Sequence, residues 1–193
     1  MLTPRFTEAL VLAARLHRNQ VRKGPEKIPY IGHLLAVAAI VIDFGGNEDE
    51  AIAALLHDAV EDQGGDITRQ MIRRLFGPDV AEIVDGCTDT DQTPKPPWQI
   101  RKEQYIAHLR SASPSVLLVA AADKLANARS LLIDVREVGD SVWSRFSCTK
   151  QQSLWYYREN VKVLREAAAN AALLRELDSV VTEIERLSAA EAR

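Results

Sequence analysis

Residues 51–62 read AIAALLHDAVED. Six apolar residues lead into His57-Asp58, and two more lead into Glu61-Asp62. The run predicts one helix over about 48–62, stopped by Gly64-Gly65, and a helix without a polar face is a buried one. Two other stretches share this character: YIGHLLAVAAIVI at 30–42 and VLLVAAADKLANA at 116–128. Each carries an ionisable group in apolar surroundings: His33 in one, His57 and Asp58 in the second, Asp123 in the third. A buried, unpaired carboxylate costs several kcal/mol, so each of these groups needs a partner. Separate partners, such as Lys124 for Asp123, would serve. One shared cation satisfies all four at once, and two imidazoles with two carboxylates suit a borderline divalent metal such as Mn, Fe, Co or Zn.

Outward from these stretches, helical periodicity continues over almost the whole chain. Thr3-Pro4 opens a helix expected to run to about residue 23, and a basic loop with Gly24, Pro25 and Pro29 ends it. Helices follow at about 31–44, at 66–76 with Asp66 as cap, and from Gly77-Pro78 to about 87. Residues 88–98, TDTDQTPKPPW, hold three prolines and read as an ordered surface loop. Further helices are expected at about 99–111, 114–136, 149–169 and 171–190, with a Gly139-centred loop among them. The last helix reads as a packing or dimer element, so a homodimer is among the expected partners. The fold class is all-α, a single domain over 1–193 built as a helical bundle of about eight to ten helices.

Composition narrows the function. The chain has 193 residues, 47% hydrophobic and 26% charged, with a net charge of −3 and a pI near 5.8. That lacks the basic excess of a nucleic-acid-coating protein. No apolar stretch reaches the roughly 18 uncharged residues of a membrane span, and no secretory leader is legible at the start. Two cysteines, Cys87 and Cys148, suit a reducing compartment, so a cytoplasmic protein is expected.

Glu61 lies four residues after His57, and Asp62 four after Asp58. On one helix these carboxylates would crowd its C-terminal end, against both mutual repulsion and the helix dipole. A solvated acidic end is the bland alternative. A nearby cation removes the penalty and leaves the pair free for proton transfer to and from an attacking water.

The order His33, His57-Asp58, Asp123 resembles the H…HD…D pattern of HD-domain metal-dependent phosphohydrolases. The wider text, from His17-Arg18-Asn19-Gln20-Val21-Arg22-Lys23 through PYIGH (29–33), LLHDAVED (55–62), FGPDVAEIV (76–84) and ADKLANAR (122–129), is similar to the hydrolase domain of Rel/SpoT alarmone enzymes. Those enzymes add further domains, so the chain resembles the stand-alone small alarmone hydrolases instead. That resemblance implies metal-dependent removal of the 3′-pyrophosphate from guanosine 3′,5′-bis(diphosphate) (ppGpp) or its pentaphosphate, with Mn²⁺ as the metal. Position by position, it implies that His33, His57, Asp58 and Asp123 hold the metal and that Glu61 and Asp62 position and activate the attacking water. It also places Arg22 and Lys23 near the base, Asn127 near the ribose, and Tyr156 as an aromatic lining the site.

Arg101, Lys102 and Lys150 are candidate phosphate contacts or plain surface charges, and Lys102 is taken as substrate-binding. His17 reads as structural and His108 as exposed. Trp98 stands where the family has a phosphate-contacting lysine, with Lys95 or Lys102 as substitutes. The same core could serve another nucleotide, such as an adenosine alarmone, the 2′-phosphate of NADPH or a nucleoside monophosphate. A non-catalytic nucleotide-binding protein is a further alternative, disfavoured because all six metal and acid positions are kept.

Overall fold

The computed structural model describes residues 1–90, 92 and 94–190; Asp91 and Thr93, in the expected 88–98 loop, and residues 191–193 lie outside the described residues. In chain order the helices are α1 (Pro4–Leu16), α2 (Ile31–Asp43), α3 (Glu48–Leu56), α4 (Ala59–Asp62), α5 (Gly65–Phe76), α6 (Pro78–Cys87), α7 (Trp98–Leu109), α8 (Pro114–Val138), α9 (Lys150–Glu166) and α10 (Ala171–Ala190). A 3₁₀ turn, Gly139–Arg145, joins α8 to α9. Among the described residues the extended pairing is a single antiparallel bridge between Val21 and Pro29. The fold is all-α.

Helix α8 is the axis of the bundle, touching α2, α3, α6, α9 and α10. Its run Ala120-Ala121-Ala122, with Ala128, is buried, and residues this small let neighbouring backbones come close. All six apolar residues 51–56 of α3 are fully buried. The apolar stripe of α10 is used within the chain: Leu173, Leu177, Val181 and Ile184 are buried, and the helix lies against α8 and α9.

The structure departs from the expected elements in instructive places. α1 ends at Leu16 rather than near 23, because His17 turns the chain and its buried ring bonds to the Gln20 side chain at 2.7 Å. Residues 20–30 then form an extended excursion, with Arg22 N–H donating to the Ile28 carbonyl at 2.8 Å and Tyr30 N–H to that of Gln20 at 2.9 Å. The helix expected over 48–62 breaks at His57-Asp58 into α3 and α4. Gly64, at φ +117°, rather than Asp66, is the N-cap of α5. The Gly139 loop is helical as a 3₁₀ turn. Nor is α2 buried all round, since Leu35 and Ile42 are 44% and 40% exposed on its outer face.

Gly45-Gly46 ends α2 in a tight double bond. Gly45 N–H donates to the Ile42 carbonyl at 3.1 Å and Gly46 N–H to that of Val41 at 2.8 Å, with Gly45 at φ +86°. A Cβ on Gly46 would stand 2.4 Å from a Val41 methyl and 2.8 Å from the Val41 carbonyl oxygen. Gly46→Ala is therefore expected to destabilise the fold by about 1–3 kcal/mol, read as a lowered melting temperature, with secondary structure kept.

Candidate active site

His33 enters from the first turn of α2, His57 and Asp58 from the break between α3 and α4, and Asp123 from the middle of α8. These four converge. His33 Nε2 lies 3.2 Å from Asp123 Oδ1 and 3.6 Å from Asp58 Oδ2. His57 Nε2 lies 3.0 Å from Asp58 Oδ2 and 3.6 Å from Asp123 Oδ1. Neither ring nitrogen has a hydrogen-bond partner among the described residues, although both are buried. The other nitrogen of His57, Nδ1, is 2.8 Å from the Ala54 carbonyl and donates to it, which leaves the Nε2 lone pair aimed at the carboxylates.

The break at His57-Asp58 is what lets both residues face the same point. It also corrects the expected placement of Glu61 and Asp62, which occupy the first turn of a new four-residue helix rather than the end of a long one.

The carboxylates are held from behind. Tyr30 donates its hydroxyl to Asp58 Oδ2 at 2.6 Å. Lys124 donates to Asp123 Oδ2 at 2.6 Å, and the Asn127 amide to Asp123 Oδ1 at 2.5 Å. Burial opposes charge on Asp58 and Asp123; even so, the two imidazoles around Asp58, and Lys124 with the imidazoles around Asp123, hold both well below the ordinary carboxylate range. Burial likewise opposes a proton on His57, and the two carboxylates outweigh it, holding that ring well above its ordinary value.

Such a set balances its charge with an imidazolium or, equally, with a divalent cation and two neutral rings. The donor atoms of His33, His57 and Asp58 lie within 4.8 Å of one another. Two buried lone pairs without partners, facing two carboxylate oxygens, fit a divalent cation with mixed nitrogen and oxygen ligands.

Beside this centre opens a cleft of about 720 Å³. Glu61 and Asp62 line it: Glu61 Oε1 accepts from Lys95 Nζ at 2.8 Å, and Asp62 Oδ2 from the Gln20 amide at 2.8 Å. Arg22, Lys23, Lys102, Asn127 and Tyr156 line it too. Arg22 Nη1 donates to Asn127 Oδ1 at 3.1 Å and its guanidinium lies 5.9 Å from the Tyr30 ring. Lys23 sits 5.5 Å over Phe146, and Lys102 4.9 Å over Tyr156. All eleven expected site residues thus reach one centre or its cleft, His57 from its buried base.

Lys150 does not, since it is bound to Asp140 and the Ser188 carbonyl. Trp98 lines the cleft edge-on to Trp155 and Tyr156, while Lys95 brings an ammonium to the acid pair from three residues earlier. Sequence reasoning gave no role to Tyr30, Gln20 or Asp89. Tyr30 and Gln20 act through the excursion at 20–30, which the expected long first helix concealed.

Comparison with known proteins follows this geometry. The HD domain family model matches residues 9–151, and the chain belongs to that family. It is 40% identical over 173 residues to a guanosine-3′,5′-bis(diphosphate) 3′-pyrophosphohydrolase, MESH1, of Xenopus tropicalis, covering 89% of each chain. It is 42% identical over 126 residues to the Homo sapiens MESH1, covering 64% of this chain and 68% of that one. Among solved structures, a metazoan ortholog of SpoT that hydrolyzes ppGpp superposes with a TM-score of 0.78 at 31% identity, covering 95% of this chain and 97% of the other. The protein lmo0812 of Listeria monocytogenes superposes with a TM-score of 0.68 at 29% identity, covering 81% and 98%.

His17 anchors the turn that carries Gln20 to Asp62. Burial lowers its pKa below the ordinary 6.5, with the Gln20 bond and the nearby Asp58 and Asp62 opposing that shift. The native ring therefore stays neutral at a pH where the unfolded chain already takes up a proton. The unfolded state binds more protons there, so this contribution is lost as pH falls below about 6.5 towards the native pKa. Thermal melts of the wild type and His17→Asn at about pH 7.5, 6.5 and 5.5 are expected to show a shallower acid decline in the variant.

Proposed function

We propose that this protein is a metal-dependent 3′-pyrophosphohydrolase of ppGpp and its pentaphosphate, with Mn²⁺ as the cation. The observation that carries this reading is the meeting of two buried imidazole nitrogens with two carboxylates beside an acid pair, in a cleft also lined by Arg22, Lys23 and Lys102. The names of the relatives support the substrate. His33, His57, Asp58 and Asp123 would hold the cation. When bound, it supplies a Lewis acid for phosphoryl oxygens and lowers the pKa of a water towards neutrality.

The chain's own groups do the rest. Glu61 accepts the proton of the attacking water at Oε1, where Lys95 now donates, and Asp62, steadied by Gln20, aims that water at the 3′ ester phosphorus. The bond from phosphorus to the 3′ oxygen breaks, the 3′ oxygen leaves and takes a proton, and pyrophosphate departs intact. Arg22, Lys23 and Lys102 offset the charge of the polyphosphate, while Asn127 and Tyr156 orient ribose and base.

The test is product analysis. Purified protein with Mn²⁺ and ppGpp is expected to yield GDP and pyrophosphate, to stop on chelation, and to recover on readdition of Mn²⁺. Release of orthophosphate instead, or no turnover, would overturn the reading. Glu61→Gln is expected to keep metal binding while losing about 10²-fold or more in kcat. Asp123→Ala is expected to lose metal binding measured by titration calorimetry. Tyr30→Phe, which strips the hydroxyl from Asp58, is expected to weaken metal affinity about 10- to 100-fold with the fold intact.

A further inference from the structure

Where α6 ends, Thr88 caps its last turn through the Val84 carbonyl, and the next residue, Asp89, is sunk beneath α7 with its side chain 7% exposed. One oxygen, Oδ2, accepts from both Arg101 Nη1 and Lys102 Nζ, the latter at 2.8 Å. The other, Oδ1, is buried and bonded to nothing among the described residues. Arg101 and Lys102 are themselves 14% and 18% exposed, and among the described residues Asp89 is the carboxylate within salt-bridge range of both.

Two cations share one carboxylate at the cleft wall, so among the described residues the trio carries one net positive charge. Arg101 is further fixed by its Nε–H, which donates to the Pro96 carbonyl at 3.1 Å, so the guanidinium cannot swing away. Lys102 is fixed over the Tyr156 ring. Asp89, Arg101, Lys102 and Tyr156 all line the cleft.

We propose that Asp89 is a positioning residue that clamps Arg101 and Lys102 side by side, forming with them a second anion subsite for a phosphate group of the substrate other than the one attacked. The inference rests on the reading of the cleft as a nucleotide hydrolase site. Within that reading two positions of the cleft offer cations held in different places. Arg22 is bonded to Asn127 beside the metal centre, whereas Arg101 and Lys102 are bonded to Asp89 under α7. A nucleotide with phosphate at both ends of its ribose can use both positions. A pair of fixed donors binds phosphate better than two free ones, because their rotamers are already ordered.

The test uses Asp89→Asn, which keeps the shape and removes the charge, and Arg101→Met, which removes one arm of the clamp. With ppGpp, each variant is expected to raise KM about tenfold while kcat stays within about threefold. Repeating the assay with pGpp, which lacks the 5′ terminal phosphate, and ppGp, which lacks the 3′ terminal one, identifies the group bound, since the KM effect vanishes on the nucleotide that lacks it. In parallel, inorganic pyrophosphate titrated into metal-free protein is expected to bind about tenfold more weakly to both variants than to the wild type. A fall in kcat at unchanged KM, an equal KM effect on all three nucleotides, or wild-type pyrophosphate binding in both variants would overturn the subsite. Wild-type protein that turns over none of the nucleotides, yet binds pyrophosphate in an Asp89-dependent way, would overturn the hydrolase reading and leave the subsite standing.

Discussion

Two imidazole nitrogens, Nε2 of His33 and of His57, lie buried without a hydrogen-bond partner among the described residues, while carboxylate oxygens of Asp58 and Asp123 stand 3.0–3.6 Å away. A fold that only needed to bury these helices would fill such positions with leucine or alanine, as it does at Ala54, Leu55 and Leu56. Polar groups placed in an apolar bundle must be satisfied, and lone pairs converging on acids ask for a positive charge between them. The rest of the site is arranged around that demand. Tyr30 and Asn127 bind the carboxylates, the Ala54 carbonyl sets the His57 tautomer, and Lys124 balances Asp123 from the far side.

The bundle meets this demand by interrupting itself. α3 is buried from residue 51 to 56, and a straight continuation would have sent His57 and Asp58 to different faces. Breaking the helix at these two residues turns both towards α8 and starts α4 afresh, so that Glu61 and Asp62 stand over the cleft rather than inside the core. The excursion at 20–30 closes the same corner from the other side. It carries Gln20 to Asp62, Arg22 to Asn127 and Tyr30 to Asp58. Three elements far apart in sequence are thereby tied to one point.

Much of this was legible in the sequence, and the reasons differ by element. The all-α class followed from periodicity, because apolar residues at three- and four-residue steps leave a bundle little alternative. The metal-centre candidates were legible because ionisable residues in apolar runs are conspicuous. The break at His57-Asp58 was not legible: neither residue is a helix breaker, both keep helical backbone angles, and tertiary packing decides that the ladder stops there. The early end of α1 was hidden in the same way, since His17, Arg18 and Asn19 are tolerable in a helix and the turn is fixed by the bond from His17 to Gln20. Asp89 escaped notice because it sits in a proline-rich, polar stretch, where an acid is ordinary; its burial and its two cations exist only once α7 folds over it.

The most direct measurement is the anomalous scattering of crystals grown with Mn²⁺. The expected result is one strong peak bonded at about 2–2.3 Å to His33 Nε2, His57 Nε2 and an oxygen each from Asp58 and Asp123. Side chains that leave this point empty, with the ion held elsewhere or not at all, would contradict it.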